Sequence, residues 1–461
     1  MSRDIARAIA LLLPILLLSL AGCPADDDDD DDTTGDDDVA PDPSWPEWAW
    51  HHWVWEDEST QDSALEVVHG YLDRDIPVGA VIIDSPWETE YNDFVWDTDR
   101  FPDPQGMIDE FHDNDVRFLV WITPAINIDV EPLYSEFADA GWFMQYNEDS
   151  GPAVIDWWKG DGSIIDYWNP DAVARWHEMM DPVIDMGIDG WKTDGLDFGA
   201  IVGSYSPALG RDVTRNEYSD AYYRDFYDYT REKNGDDCLI MARPVDNYGA
   251  DIGGDGVAFA PIDINWAAWV GDQDADFNGL QAALRNMYWS SDYGYLLACS
   301  DIGGYRDDDS PLGREKEVMI RWAQQGALCP LMENGGGGEH RPWLWDQETE
   351  TIYRDFVELH YALLPYMNEH GARAFEKGET MMPFVDHDTY TYMLGPDIFV
   401  APVIEEGFSV TVEFPDEGSW VWLFGANETF AAGSEETLDV PLDEFPVFLR
   451  EGSEIADQLL P

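Results

Sequence analysis

Residues 187–195 read Gly-Ile-Asp-Gly-Trp-Lys-Thr-Asp-Gly. A short strand-like stretch ends here on an aspartate, Asp194. The reading is a buried strand over Gly190–Asp194 with its polar residue at the carboxyl end. On its N-terminal side Asn169 and Pro170 supply the cap and first residue of a helix predicted over Pro170–Met186. On its C-terminal side a second helix is predicted over Asn216–Lys233. The same unit extends in both directions. Strands are predicted over Val78–Asp84 and Val116–Ile122 with a helix at Met107–Asn114 between them. Further along come strands over Leu239–Arg243 and Tyr295–Ser300 and helices over Phe277–Ser291, Glu315–Cys329 and Glu348–His370.

Repeated β-then-α units imply a parallel sheet. The closed form is favoured over an open one because strand after strand ends in a polar residue: Asp84, Asp194, Arg243 and then Asp301. In a barrel those ends converge on one mouth, where active sites form. The expected fold is therefore α/β, a (β/α)8 TIM barrel over residues 45–370. After about Gly371 the runs become short and β-rich: Tyr390–Leu394, Ile398–Val403, Thr411–Phe414, Trp420–Leu423 and Val447–Arg450. A small antiparallel β-sandwich over residues 371–461 is expected there. No glycine-rich fingerprint follows the first of these strands, so a dinucleotide site is unsupported.

The chain of 461 residues has a formal net charge of −72, with 96 acidic against 24 basic residues. Charge of that size excludes nucleic acid as a partner, and it suits a salty habitat or a soluble exoenzyme. Of the 22 tryptophans most are expected in the core and a minority against a sugar, whose C–H faces stack on aromatic rings. The four cysteines, Cys23, Cys238, Cys299 and Cys329, show no zinc-like spacing. Buried free thiols are expected, with a disulfide as the other option.

Arg3 and Arg7 precede an apolar run from Ala8 to Leu20 and then Ala21-Gly22-Cys23. This has the form of a secretory signal over residues 1–22, too short for a transmembrane helix. Leu20-Ala21-Gly22-Cys23 resembles a bacterial lipobox, which implies lipidation of Cys23 and a cell-envelope location, anchored at the outer membrane; an ordinary signal peptide is the alternative. Residues 23–44 contain the runs Asp26–Asp32 and Asp36–Asp38 and are expected to form a solvated acidic linker.

Hydrolysing a glycosidic bond takes one group to protonate the leaving oxygen and another to stabilise or attack the anomeric carbon, and two carboxyls can do both. The segment ending in Asp194, with Lys192 two residues before it, resembles the nucleophile strand of glycoside hydrolase family 31, the α-glucosidase and α-xylosidase family. Trp269-Val-Gly-Asp272 is similar to the segment ending in that family's acid/base. Ser300-Asp301-Ile-Gly-Gly-Tyr305, Arg321-Trp-Ala-Gln-Gln-Gly-Ala327 with Pro330, Tyr392-Met-Leu-Gly-Pro-Asp397-Ile-Phe-Val-Ala-Pro402 and Pro446-Val-Phe-Leu-Arg-Glu-Gly452 resemble further signatures, in consistent order. The resemblance implies a retaining exo-α-glycosidase acting on oligosaccharides, without a cofactor or metal. Asp194 would be the nucleophile and Asp272 the acid/base. Asp84 and Arg243 would contact the sugar, and Ile126, Trp269, Asp301 and Tyr305 would line or support the first subsite.

The chain departs from the family pattern in three places. The family usually carries a large N-terminal β-sandwich, and here Trp45–Trp55 would have to stand in for its loop. The gap from Arg243 to Asp272 is long, with Ile252–Phe259 read as an inserted glycine-rich loop. The family's Arg-x-His is replaced by Met332-Glu333-Asn334-Gly335 and a glycine run, with His340 as the candidate substitute from a flexible loop. Asp272-x-Asp274-x-Asp276 has a second reading as a calcium loop, although Phe277 stands where the turn glycine belongs. The rival functions are a surface glycan-binding lipoprotein and a transglycosylase using the same residues. A metal-dependent hydrolase would need a histidine cluster at the strand ends, and the nine histidines supply none.

Overall fold

Eight parallel strands form one sheet in the computed structural model, which describes residues 45–195, 204–245, 260–426 and 428–460. They are β1 (His52–Glu56), β2 (Ala80–Ile83), β3 (Arg117–Ile122), β4 (Gly190–Thr193), β5 (Leu239–Ala242), β6 (Ala267–Trp269), β7 (Ala298–Cys299) and β8 (Met332–Asn334). Their order in the sheet is β7-β6-β5-β4-β3-β2-β1-β8, so the first strand pairs with the last and the sheet curls into a nearly closed barrel. Across the remaining gap the Ile302 N–H donates to the Glu333 carbonyl at 3.1 Å.

Helices α1 (Gln61–Leu72), α2 (Pro104–Asp113), α3 (Pro170–Ile184), α4 (Arg215–Asn234), α5 (Phe277–Asp292), α6 (Lys316–Gly326) and α7 (Gln347–Lys377) separate the strands. Residues 246–259, between β5 and β6, lie outside the described residues, and the expected insertion at 252–259 falls among them. Local chemistry starts the helices where it should. The Asn169 side chain accepts from the N–H groups of Asp171 and Ala172, with Pro170 at the first position. Thr214 and Glu217 form a reciprocal capping box at the start of α4. Asp276 caps α5 by accepting from Gly279 N–H at 2.8 Å. Strands such as β2 are apolar throughout because helices cover their outer faces: all four of its residues, Ala-Val-Ile-Ile, are buried. Trp191 on β4 donates to Thr230 on α4 at 2.9 Å, tying the two layers together.

Three strands were not expected from the sequence. β1 means that residues 52–56 build the barrel itself rather than replace a sandwich loop, and Asp84 follows the second strand, not the first. β6 and β8 have three residues each. β8 turns part of the anticipated flexible segment into barrel wall.

The C-terminal region is a β-sandwich of unequal sheets. Strands β9 (Phe384–Asp386), β10 (Thr391–Leu394), β11 (Ile398–Val400), β12 (Ser409–Glu413), β13 (Ser419–Trp422), β14 (Thr429–Ala431), β15 (Glu435–Asp439) and β16 (Val447–Arg450) form a six-stranded sheet, β9-β10-β11-β16-β13-β14, and a β12-β15 ribbon. Phe414, at the end of the ribbon's first strand, packs on Phe430 and Phe448 with ring centres 4.6 and 4.8 Å away. The segment Arg321–Ala327 joins this region to the barrel. Buried Arg321 donates to the carbonyls of Val440 (2.7 Å) and Glu444 (2.8 Å), and Gln324 donates to that of Leu442 (2.7 Å). Cys238, Cys299 and Cys329 are buried free thiols.

Candidate active site

At the carboxyl ends of the strands the chain opens into a cavity of about 410 Å³, within the usual size for a small-molecule site. Asp84 follows β2, Asp194 follows β4, Arg243 follows β5, and Asp272 stands three residues beyond β6. Trp269 is the last residue of β6, Lys192 lies within β4, and Tyr305 arrives from the loop after β7. All seven line this one cavity.

Arg243 organises the two candidate catalytic carboxyls. Its Nε donates to Asp194 Oδ1 at 2.8 Å and its Nη2 donates to Asp272 Oδ1 at 3.0 Å. Sharing one planar guanidinium, the two carboxyl oxygens can be no more than about 8 Å apart. Asp194 also accepts from the Trp121 indole N–H at 3.3 Å. Burial alone would push the Asp194 carboxyl up. The charge and hydrogen bond of Arg243, with the Gly195 N–H and Lys192, outweigh that and hold it below the usual carboxylate range. Asp194 therefore stays ionised although only 8% of its side chain is exposed, whereas Asp272 is 21% exposed. One carboxylate is deep and held in its charged form, and the other is more open to solvent.

Lys192 lies beneath them. Its ammonium bonds Asp84 Oδ2 at 2.7 Å and sits over the Trp55 ring (3.6 Å) and the Trp269 ring (4.3 Å). Burial disfavours the charge, and Asp84, Asp301 and Glu333 together more than restore it, so its pKa is raised. Arg243 covers Trp269 at 4.0 Å, so two cations share that indole.

Asp301 and Glu333 form the buried layer below. Neither is on the cavity surface, and both are fully buried. Among the described residues neither Asp301 oxygen meets a donor in hydrogen-bonding geometry. Burial, then repulsion from Glu333, push the Asp301 carboxyl well above its usual value. Burial likewise raises Glu333 to about 7, against the pull of Lys192 and of the Trp55 indole N–H that donates to it. Three acids thus surround one ammonium, and burial and mutual repulsion oppose the ionisation of Asp301 and Glu333.

Other sequence expectations are placed differently. Ile126 is buried in a three-stranded excursion after β3 (Ala125–Asn127, Ile155–Trp157 and Gly160–Ile164) and does not line the cavity. His340 does not line it either. Its Nδ1 faces Asn334 Oδ1 at 2.9 Å and its Nε2 faces the Gly337 carbonyl at 3.1 Å, so it anchors the glycine run instead of reaching for substrate. Burial, then the Arg314 charge, hold its pKa well below the ordinary histidine value. The three aspartates of the calcium-like triplet point to separate tasks: Asp272 to Arg243, Asp274 to Arg306 (3.4 Å), and Asp276 to the α5 cap. Among the described residues no group of three or more His, Cys, Asp or Glu is arranged to hold a metal.

Several lining residues carried no usable sequence signal. Trp158 and Lys159 come from the hairpin of the excursion, Trp121 from β3, and Arg306 from the loop after β7. Asp57, just past β1, accepts from Tyr305 Oη at 3.3 Å; burial and the nearby Asp84 raise its pKa to about 6.

Residues 42–370 match the glycosyl hydrolases family 31 TIM-barrel domain, and residues 377–455 match the glycosyl hydrolase family 31 C-terminal domain. The chain belongs to glycoside hydrolase family 31. Among its family-31 relatives, α-xylosidase XylQ of Lactiplantibacillus pentosus is 26% identical over 418 residues, covering 86% of this chain and 52% of that protein. α-Glucosidase 2 of Bacillus thermoamyloliquefaciens is 23% identical over 411 residues, covering 86% and 51%. A family-31 α-xylosidase from a soil metagenome, solved as a crystal structure with xylose, has the same fold: TM-score 0.75 at 24% identity, covering 90% of this chain and 65% of that one. The chain spans about half the length of the curated relatives it matches.

Proposed function

We propose that the protein is a retaining exo-α-glycosidase that removes terminal glucose, xylose or galactose from oligosaccharides. The observation that carries this reading is the Arg243 bridge, which holds Asp194 and Asp272 at one cavity with different exposure. In the first step an Asp194 oxygen attacks the anomeric carbon while the glycosidic C–O bond breaks, and the leaving oxygen takes a proton from Asp272. In the second step Asp272, now a carboxylate, takes a proton from water, whose oxygen displaces Asp194 and releases the sugar. Such a pair works with carboxyls roughly 5–5.5 Å apart. The Lys192–Asp84 pair and the Trp269 indole close the inner end, which favours entry of a chain end over a chain middle. Both chemical roles are filled by carboxyls, so the scheme needs no cofactor.

The test is a panel of aryl α- and β-glycosides of the three sugars, with the first-formed anomer followed by proton NMR. Hydrolysis of an α-glycoside to the α-anomer is expected. Cleavage confined to β-glycosides, or release of the β-anomer first, contradicts the reading. Transfer to an added acceptor sugar would appear in the same experiment as a new disaccharide.

We also propose that Cys23 carries a lipid that anchors the enzyme at the outer membrane through the acidic segment 23–44. The lipobox-like Leu20-Ala21-Gly22-Cys23 supports it. Cys23→Ala should move the protein from the membrane pellet to the soluble fraction, and its retention in the pellet would contradict the anchor.

A further inference from the structure

The cavity is lined by four basic side chains, Lys159, Lys192, Arg243 and Arg306, against three acidic ones, in a chain with four acidic residues for every basic one. The lining alone thus carries one more basic than acidic side chain, against the trend of the chain. Lys192 is answered by Asp84, Arg243 by Asp194 and Asp272, and Arg306 faces Asp274. Lys159 acts on Asp57 only at longer range, without an ion pair. Its ammonium lies 5.3 Å from the centre of the Tyr91 ring, and among the described residues no carboxylate is within ion-pairing distance.

The position of Lys159 is built rather than accidental. Its carbonyl accepts from Asn127 Nδ2 at 2.9 Å, and Asn127 Oδ1 in turn accepts from the Trp157 indole N–H at 2.6 Å. Gly160 follows with φ of +128°, a turn that other residues resist, and an added Cβ there would meet the Asn127 amide at 3.2 Å. The hairpin is therefore fixed within the excursion, with Lys159 on the lining of the cavity. A surface this acidic could easily have supplied a partner, and a half-buried ammonium without one is poised for an anion that arrives with the ligand.

We propose that the sugar accepted here carries an anionic group, a carboxylate or a sulfate, and that the Lys159 ammonium binds it. This rests on the glycosidase reading for the identity of the ligand as a sugar, and it deepens that reading by placing an acidic derivative of the terminal sugar at the site. Trp158, beside Lys159 and 48% exposed, gives the same sugar an aromatic face.

Equilibrium binding tests this without requiring turnover. The wild-type full chain is titrated calorimetrically with glucuronic acid, with glucose 6-sulfate, and with neutral glucose, xylose and galactose. The buffer holds about 0.5 M NaCl, which screens the general repulsion of anions by the protein over a few ångströms. At least one anionic sugar is expected to bind about 10–100-fold tighter than any neutral one, as for a charge-assisted hydrogen bond. Which anion wins separates carboxylate from sulfate. Lys159→Ala should bring the anionic-to-neutral ratio close to one, and Lys159→Arg should keep most of it. Equal affinity for anionic and neutral sugars in the wild type, or a ratio that Lys159→Ala leaves intact, overturns the proposal. Selective anion binding by a chain that cleaves no α-glycoside would instead sink the glycosidase reading alone.

Discussion

Asp194→Ala is expected to lower kcat/KM on an aryl α-glycoside by at least about a thousandfold, equivalent to about 4 kcal/mol of transition-state stabilisation. The Arg243 guanidinium keeps this deeply placed carboxylate charged, and the alanine leaves no carboxylate at its position. Asp272→Ala should behave differently. An acid is dispensable when the leaving group is already acidic, so the first step with a dinitrophenyl glycoside should fall far less than with a disaccharide. Added azide, which needs no general base, should restore turnover. Stopped-flow and steady-state kinetics on the two variants check the contrast. Equal losses on both leaving groups, in both variants, would remove the division of labour.

The second large effect concerns folding. Lys192→Met should destabilise the chain by about 3–5 kcal/mol, because it leaves Asp84, Asp301 and Glu333 buried without their shared ammonium. The deficit should depend on pH with a definite sign. Without the ammonium Asp301 and Glu333 hold their protons more tightly when folded than when unfolded. The folded variant then gains stability relative to its unfolded state as pH falls through the region around the Glu333 value of about 7, and loses it as pH rises. Chemical denaturation of wild type and variant at about pH 5 and about pH 8 reads this directly. A deficit that is constant, or larger at the lower pH, would show that the buried acids are not governed by Lys192.

Reading the sequence found those parts of the barrel whose strands are continuous apolar runs closed by a polar residue. Ala80–Ile83 before Asp84 and Leu239–Ala242 before Arg243 are of this kind, and each delivers a lining residue. β6 and β8 escaped because three residues give no periodicity, and because β8 carries Glu333 and Asn334, polar side chains that only the surrounding barrel makes tolerable. β1 was hidden in a tryptophan-rich stretch that reads equally well as a loop packed on a pocket.

The site divides in the same way. Residues at strand ends were legible because the barrel fixes where such ends go. Trp158 and Lys159 were not, since they reach the cavity by a hairpin whose anchor, Asn127, lies 32 residues away from Lys159 in sequence. His340 looked like a ligand because histidine is often one, and only the coordinates show both ring nitrogens engaged with Asn334 and Gly337. Of the many tryptophans, Trp121, Trp158 and Trp269 line the cavity, while others such as Trp50, Trp53 and Trp191 are fully buried in the core.

The most direct measurement is capture of the glycosyl-enzyme. A fluorinated α-glycosyl fluoride of a sugar the enzyme accepts slows the second step, so the intermediate accumulates and its peptide can be identified by mass spectrometry after digestion. The mechanism set out above predicts one added sugar per chain, on the peptide containing Asp194, and none in Asp194→Ala. A label on Asp272 or elsewhere, or inactivation without any covalent sugar, would contradict it.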